Sequence, residues 1–113
     1  MSLENARTID AVSTEAATGF TILTIIDHWN WDDQGVHLLA LQAKLNSYFE
    51  FVEGGQLFVE RPDASRGQVR INVISRFSMP PVARDLLAKA CDLARKLDVE
   101  LTSEHYAGSA PLQ

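Results

Sequence analysis

The sequence predicts a single α+β domain, an antiparallel sheet with two helices packed on one face, in the order ββα-ββα-β. Three observations carry that expectation. Residues 32–53 and 80–97 repeat apolar side chains at three- and four-residue spacing, the period of an amphipathic helix. Several shorter stretches alternate polar and apolar residues or concentrate β-branched ones, as strands do. Clusters of Gly, Pro, Asp and Ser separate these segments without a long linker. The chain has 113 residues, 46% hydrophobic and 22% charged, and a chain of that length buries roughly 65% of its unfolded surface. One core is therefore expected, over residues 8–106, with 1–7 and 107–113 as flexible tails.

The elements follow in order. Residues 8–14 set Ile9, Ala11 and Ser13 against Asp10, Val12 and Thr14, a short strand. A loop at 15–19 ends in Gly19 and closes a hairpin. Residues 20–26 are apolar on both parities, which suits a central strand. Asp32 is the expected N-cap of the first helix, with Trp31 and Val36 as its hydrophobic staple. Leu38, Leu41, Leu45, Tyr48 and Val52 form the buried stripe, with Leu39 and Phe49 beside it. Lys44, Ser47 and Glu50, with Glu53 at the end, fall on the outer face, and Gly54-Gly55 stops the helix.

A second hairpin is expected from strands 56–61 and 68–77 around the turn 62–67. In the second of these, Val69, Ile71, Val73, Ser75 and Phe77 face inward, and Gln68, Arg70, Asn72, Ile74 and Arg76 outward. Pro80-Pro81 opens the second helix, where a missing N–H costs little. Its apolar stripe is Ala83, Leu86, Ala90, Leu93 and Leu97, flanked by Leu87 and Ala94, and Asp85–Lys89 and Asp92–Lys96 are acid-before-base pairs four apart. Residues 99–106 complete the sheet as an edge strand. Leu41, Leu45, Ile71, Val73, Leu86, Ala90 and Leu93 are the expected core.

Charge narrows the function. The formal net charge is -5 and the pI about 5.0, which repels phosphate backbones and anionic lipid; no nucleic acid and no membrane partner is expected. Residues 1–8 are too polar for a secretory signal, and the longest apolar run, 21–26, is far short of the ~20 residues that span a bilayer. A cytoplasmic location follows. Cys91 is a single cysteine in an apolar helical pattern, a packing residue. Gly54-Gly55 follows a helix rather than preceding one, so it is no phosphate loop, and no cofactor is expected.

The densest chemistry lies in Asp27-His28-Trp29-Asn30-Trp31-Asp32-Asp33. Asp27, His28, Asp32, Asp33 and His37 lack the spacing of zinc or calcium signatures. Asp27 and His28 resemble half of an acid–base pair, but neighbours in a strand point to opposite faces, and no activated nucleophile accompanies them. No catalytic, cofactor-binding or metal residue is assigned. Trp31 is expected in the core or staple, whereas an exposed Trp29 would anchor a partner. Arg61, Arg66, Arg70 and Arg76 fall on the second hairpin, with Arg70 and Arg76 on one strand face. With Ile74, and with Leu23 and Ile25 from the central strand, they form an apolar patch with an arginine border. The candidate interaction or ligand site is thus Asp27, His28, Trp29, Arg70, Ile74 and Arg76.

The run Asp27-His28-x-x-Trp31-Asp32, followed by Leu41-Gln42-x-Lys44-x-Asn46-x-Tyr48-x-x-Phe51-x-x-Gly54, resembles a family of small bacterial proteins of unknown function. The resemblance spans about residues 9–101. It implies a bacterial, cytoplasmic, single-domain protein and transfers no catalytic residue. Three readings of function follow. The first is a non-enzymatic interaction module, a homodimer or an inhibitor of a basic partner. The second is a small-molecule binder with a pocket between sheet and helices near His28, Trp29 and Tyr48. The third is an enzyme or metalloprotein using Asp27, His28 and His37.

Overall fold

The computed structural model describes Leu3 and residues 8–106. Its elements are β1 (Ala11–Thr14), β2 (Thr21–Asp27), α1 (Gln34–Glu53), α2 (Gln56–Glu60), β3 (Val69–Ser75), α3 (Pro81–Lys96) and β4 (Val99–His105). The α+β class and the early hairpin are as expected. The all-antiparallel sheet is not. The strand order is β1-β2-β3-β4; β1 runs antiparallel to β2, whereas β2, β3 and β4 are parallel.

The cause is local. Residues 56–61, expected as a strand, form the short helix α2. Gly55 takes a left-handed φ of 86°, a conformation open to glycine without a Cβ clash. It turns the chain so that Leu57 enters the core while Val59 stays 78% exposed. With no strand after α1, there is no second hairpin. The chain crosses back over the sheet and β3 joins β2 in parallel, as a strand reached through a helix does. Arg61 and Arg66 accordingly fall in the α2–β3 connection, Arg70 on β3 and Arg76 just beyond it, rather than gathered on one hairpin.

One parity of the inner strands packs under the helices. Leu23 and Ile25 of β2, Val69, Ile71 and Val73 of β3, and Val99 of β4 share a core with Leu41, Leu45, Phe49 and Val52 of α1 and Leu87, Ala90 and Ala94 of α3. Leu23 and Ile25 therefore belong to the core and not to the open face; β2 is apolar on both parities, so its sequence left the choice to pairing with β3. Leu93, expected in the core, is 42% exposed. The buried stripe of α3 is Ala83, Leu87, Ala90 and Ala94, rotated toward the smaller side chains. Leu86 and Leu93 border a groove facing Leu45 and Phe49 of α1 instead.

The other face bears Ile22, Thr24, Ile26, Arg70, Asn72, Ile74, Glu100, Thr102 and Glu104, related by the strand register. A polar ladder crosses it. Arg70 Nε donates to Glu100 at 2.7 Å, Asn72 Nδ2 to Glu104 at 2.7 Å, and the Thr102 hydroxyl to Asn72 Oδ1 at 2.9 Å.

Asp33, not Asp32, caps α1, accepting from the Val36 amide at 3.2 Å. Val36 is exposed and forms no staple with Trp31, whose ring lies on His37 instead. Pro80-Pro81 opens α3 as expected, and its Asp92 pairs with Arg95. Cys91 is half-buried, its Sγ 3.8 Å from the Leu101 carbonyl oxygen. The expected tails lie outside the described residues except Leu3, which is buried against the core. Among the described residues, no helix is long and apolar enough to cross a membrane.

Candidate functional site at the carboxyl end of β2

The dense segment folds largely upon itself. Asp27, the last residue of β2, is 1% exposed. Its Oδ1 accepts from the Trp29 amide at 3.0 Å, and the Asn30 side chain accepts from the Asp32 amide at 3.0 Å. These are two successive side-chain turns of the kind Asp and Asn favour. They carry the chain to the Asp33 cap, and the first turn of α1 then brings His37 back over the strand end.

His37 is the centre of this knot. Its Nε2 lies 2.6 Å from Asp27 Oδ2, and its Nδ1 lies 2.9 Å from the Asn30 carbonyl oxygen. A carbonyl oxygen can only accept, so Nδ1 carries a hydrogen, and a second proton lies between Nε2 and the carboxylate. Trp31 stacks on the imidazole with centroids 3.5 Å apart and planes 12° apart. Trp29 meets it edge-on at 5.5 Å. The Trp31 indole N–H is buried without a hydrogen-bond partner, a cost the ring contacts offset.

A second polar knot lies deeper, and the sequence reading missed it. Lys44, expected on the outer face of α1, is fully buried. Its ammonium donates to Asp10 Oδ1 at 3.0 Å and to the Thr8 carbonyl at 2.6 Å. Asp10 Oδ2 accepts from the Ile26 amide at 3.0 Å, so a side chain extends the β1–β2 ladder past Ala11. The Tyr48 hydroxyl accepts from the Asp10 amide at 2.7 Å and donates to the Thr24 carbonyl at 2.6 Å. Burial pushes the Tyr48 phenol well above the usual tyrosine range, the Asp10 charge adding to the effect. The signal was present: Lys44 stands three residues after Leu41 and four before Tyr48, inside the buried stripe.

The expected site residues divide between two places. Asp27, His28, Trp29 and Arg76 gather at the carboxyl end of β2, where an open cleft of about 490 Å³ is lined by His28, Trp29, Arg76 and Phe77 among others. Arg76 lies beyond the end of β3, over the Phe77 ring, and no longer on a strand face with Arg70. Arg70 and Ile74 lie on the sheet face opposite the helices. Tyr48 does not line the cleft; its hydroxyl is spent on backbone groups.

The residues named for a metal do not come together as a ligand set. Asp27 and both nitrogens of His37 are engaged with protein groups, and His28 is exposed. Among the described residues, no three His, Cys, Asp or Glu side chains converge as a metal site. Nor does the topology open a deep pocket. Ligand crevices in open α/β sheets form where successive crossovers go to opposite faces, and here both long helices cover one face.

No curated protein and no solved structure matches the chain. A family model does, over residues 1–107, and it describes a family of unknown function. By that match, the chain belongs to the family of unknown function DUF6572.

Proposed function

We propose that the chain is a non-enzymatic interaction module that pairs with a second copy of itself through the uncovered face of the sheet. One observation carries the reading: both long helices lie on one side, and the other presents Ile22, Ile26 and Ile74 beside Arg70, Glu100 and Glu104. An apolar centre with a charged rim is the usual makeup of an interface. Because the rim mixes a cation with acids, a two-fold operator can set Arg70 of one copy against acids of the other. The saturation of Asp27 and His37 by protein groups favours a structural role for them over catalysis. The resemblance to small bacterial proteins suits a cytoplasmic module, and an acidic chain suits a basic protein as the other occupant of this face.

Sedimentation equilibrium at micromolar concentration tests the pairing. The expected mass is twice the 12.5 kDa of one chain, and Ile74→Arg should halve it while leaving the chain folded by circular dichroism. A wild-type chain that sediments at 12.5 kDa, with Ile74→Arg unchanged, would overturn the homodimer.

A further inference from the structure

The geometry points to a second site, independent of the sheet face: a phosphate-binding cleft at the carboxyl ends of β3 and β4. The cleft encloses about 340 Å³ and is lined by Ser75, Ser78, Arg84, Ser103 and His105, with Leu87 on one wall. That volume is at the small end of ligand pockets.

Three elements bring these groups together. The register sets Ser75 beside His105 and Val73 beside Ser103. All four face the helix side, but the sheet runs past the last core layer at Val73, so the Ser103 hydroxyl and the His105 imidazole are left at the open end, while the Ser75 hydroxyl is buried and donates to the Glu104 carbonyl at 3.3 Å. The β3–α3 connection adds Ser78, and the first turns of α3 add Arg84.

The electrostatics are unusual for this chain. Against a net charge of -5, the cleft offers the Arg84 guanidinium and the hydroxyls of Ser78 and Ser103. Glu104 is the one acid among the lining residues, and its carboxylate is turned to Asn72 on the opposite face. The first turn of α3 carries no acidic residue. Four other arginines are occupied: Arg70 and Arg95 by carboxylates, Arg66 and Arg76 by aromatic rings. Among the described residues, the side chains of Arg84, Ser78 and Ser103 have no partner.

The donor set selects the ligand. A guanidinium fork takes two oxygens of one anion, and the two hydroxyls of Ser78 and Ser103 can supply the rest, which suits a tetrahedral oxyanion better than a carboxylate. His105 Nε2 lies 3.2 Å from the Arg76 carbonyl oxygen, so it carries the hydrogen and leaves Nδ1 as an acceptor. A phosphate bearing one proton can donate to that nitrogen; sulfate cannot. Free phosphate and a small phosphate monoester share this chemistry.

Amide-resolved NMR titration of the full chain at constant ionic strength tests the inference, with inorganic phosphate, glycerol phosphate and sulfate as separate probes. Saturable shifts are expected for phosphate or its monoester in residues 75–84 and 103–105, with sulfate weaker. Saturation by the monoester alone would identify an organic ligand, and equal saturation by both would identify the phosphate group itself. Arg84→Gln, at an exposed position, should weaken binding about tenfold or more, while Arg95→Gln on the same helix leaves it unchanged. Shifts that do not saturate, that spread equally over the other arginines, or that survive Arg84→Gln would overturn the assignment.

Discussion

The two buried polar knots of this protein differ in reach. The Asp27–His37 pair joins residues ten positions apart, through turns written into the intervening Asn30 and Asp33. The Asp10–Lys44–Tyr48 knot joins residues 34 and 38 positions apart and exists only once β1 lies against β2 under α1. The first fastens the start of a helix to the strand before it. The second fastens the first strand to the middle of that helix. Local chemistry can therefore be read from a sequence as a cluster, whereas a long-range knot hides as an ordinary lysine in a helix and an ordinary aspartate in a strand.

Removing one member of each knot sharpens the contrast. The largest effect is expected for Lys44→Met, which keeps the volume but takes the ammonium away from buried Asp10. It should cost about 3–5 kcal/mol in urea unfolding, as loss of one partner from a buried ion pair does. Adding Asp10→Asn should recover part of that loss. A cost under about 1 kcal/mol, the range of exposed pairs, would place Lys44 back on the surface.

His37→Ala breaks the local knot. It leaves Asp27 Oδ2 and the Asn30 carbonyl without their donor and uncovers Trp31. A cost near 3 kcal/mol is expected, the upper part of the range for buried groups left unpaired. The distinguishing readout is tryptophan fluorescence of the folded state. It should change in His37→Ala and not in Lys44→Met, because both indoles touch the imidazole and neither ring is paired with Lys44. Equal spectra in the two variants would dissolve the distinction between the knots.

Tyr48→Phe is expected to cost less, about 1–2 kcal/mol, by depriving the Asp10 amide and the Thr24 carbonyl of one partner. It also has a pH signature. The folded state holds the Tyr48 proton more tightly than the unfolded chain does, so this contribution is complete below the ordinary tyrosine value near pH 10. It is lost as pH rises toward the folded value. Wild-type stability should fall above pH 10, and Tyr48→Phe should flatten that fall. A slope identical in both chains would sever the phenol from the alkaline transition.

The sequence was legible where one residue's environment depends on its near neighbours. The amphipathic period located α1 and α3, glycine and proline marked their ends, and alternation located β3 and β4. The candidate segment around Asp27 and Trp29 was found from its density of aromatic and acidic side chains. It was less legible where two local solutions have similar energy. The stretch 56–61 suits a strand or a helix, and Gly55 decided for the helix, which changed the sheet from antiparallel to mixed. Asp32 and Asp33 are equally good caps by residue type, and the helix begins so that the Asp33 carboxylate, not that of Asp32, meets the Val36 amide. Leu86 and Leu87 are equally apolar, and the closer packing of an alanine-lined stripe chose the second.

By itself, then, the amino-acid order determined the two long helices, the four strands and the presence of one core, because backbone preference and amphipathic period act within a few residues. Only the tertiary structure decided that β2 and β3 are parallel, that Leu23 and Ile25 point inward and Ile22 and Ile26 outward, and that a lysine belongs in the core. Those outcomes rest on pairings between residues far apart in the chain. A doubly apolar strand carries no record of which face will be covered, and a buried charge is stable only beside the distant carboxylate and backbone oxygen that meet it.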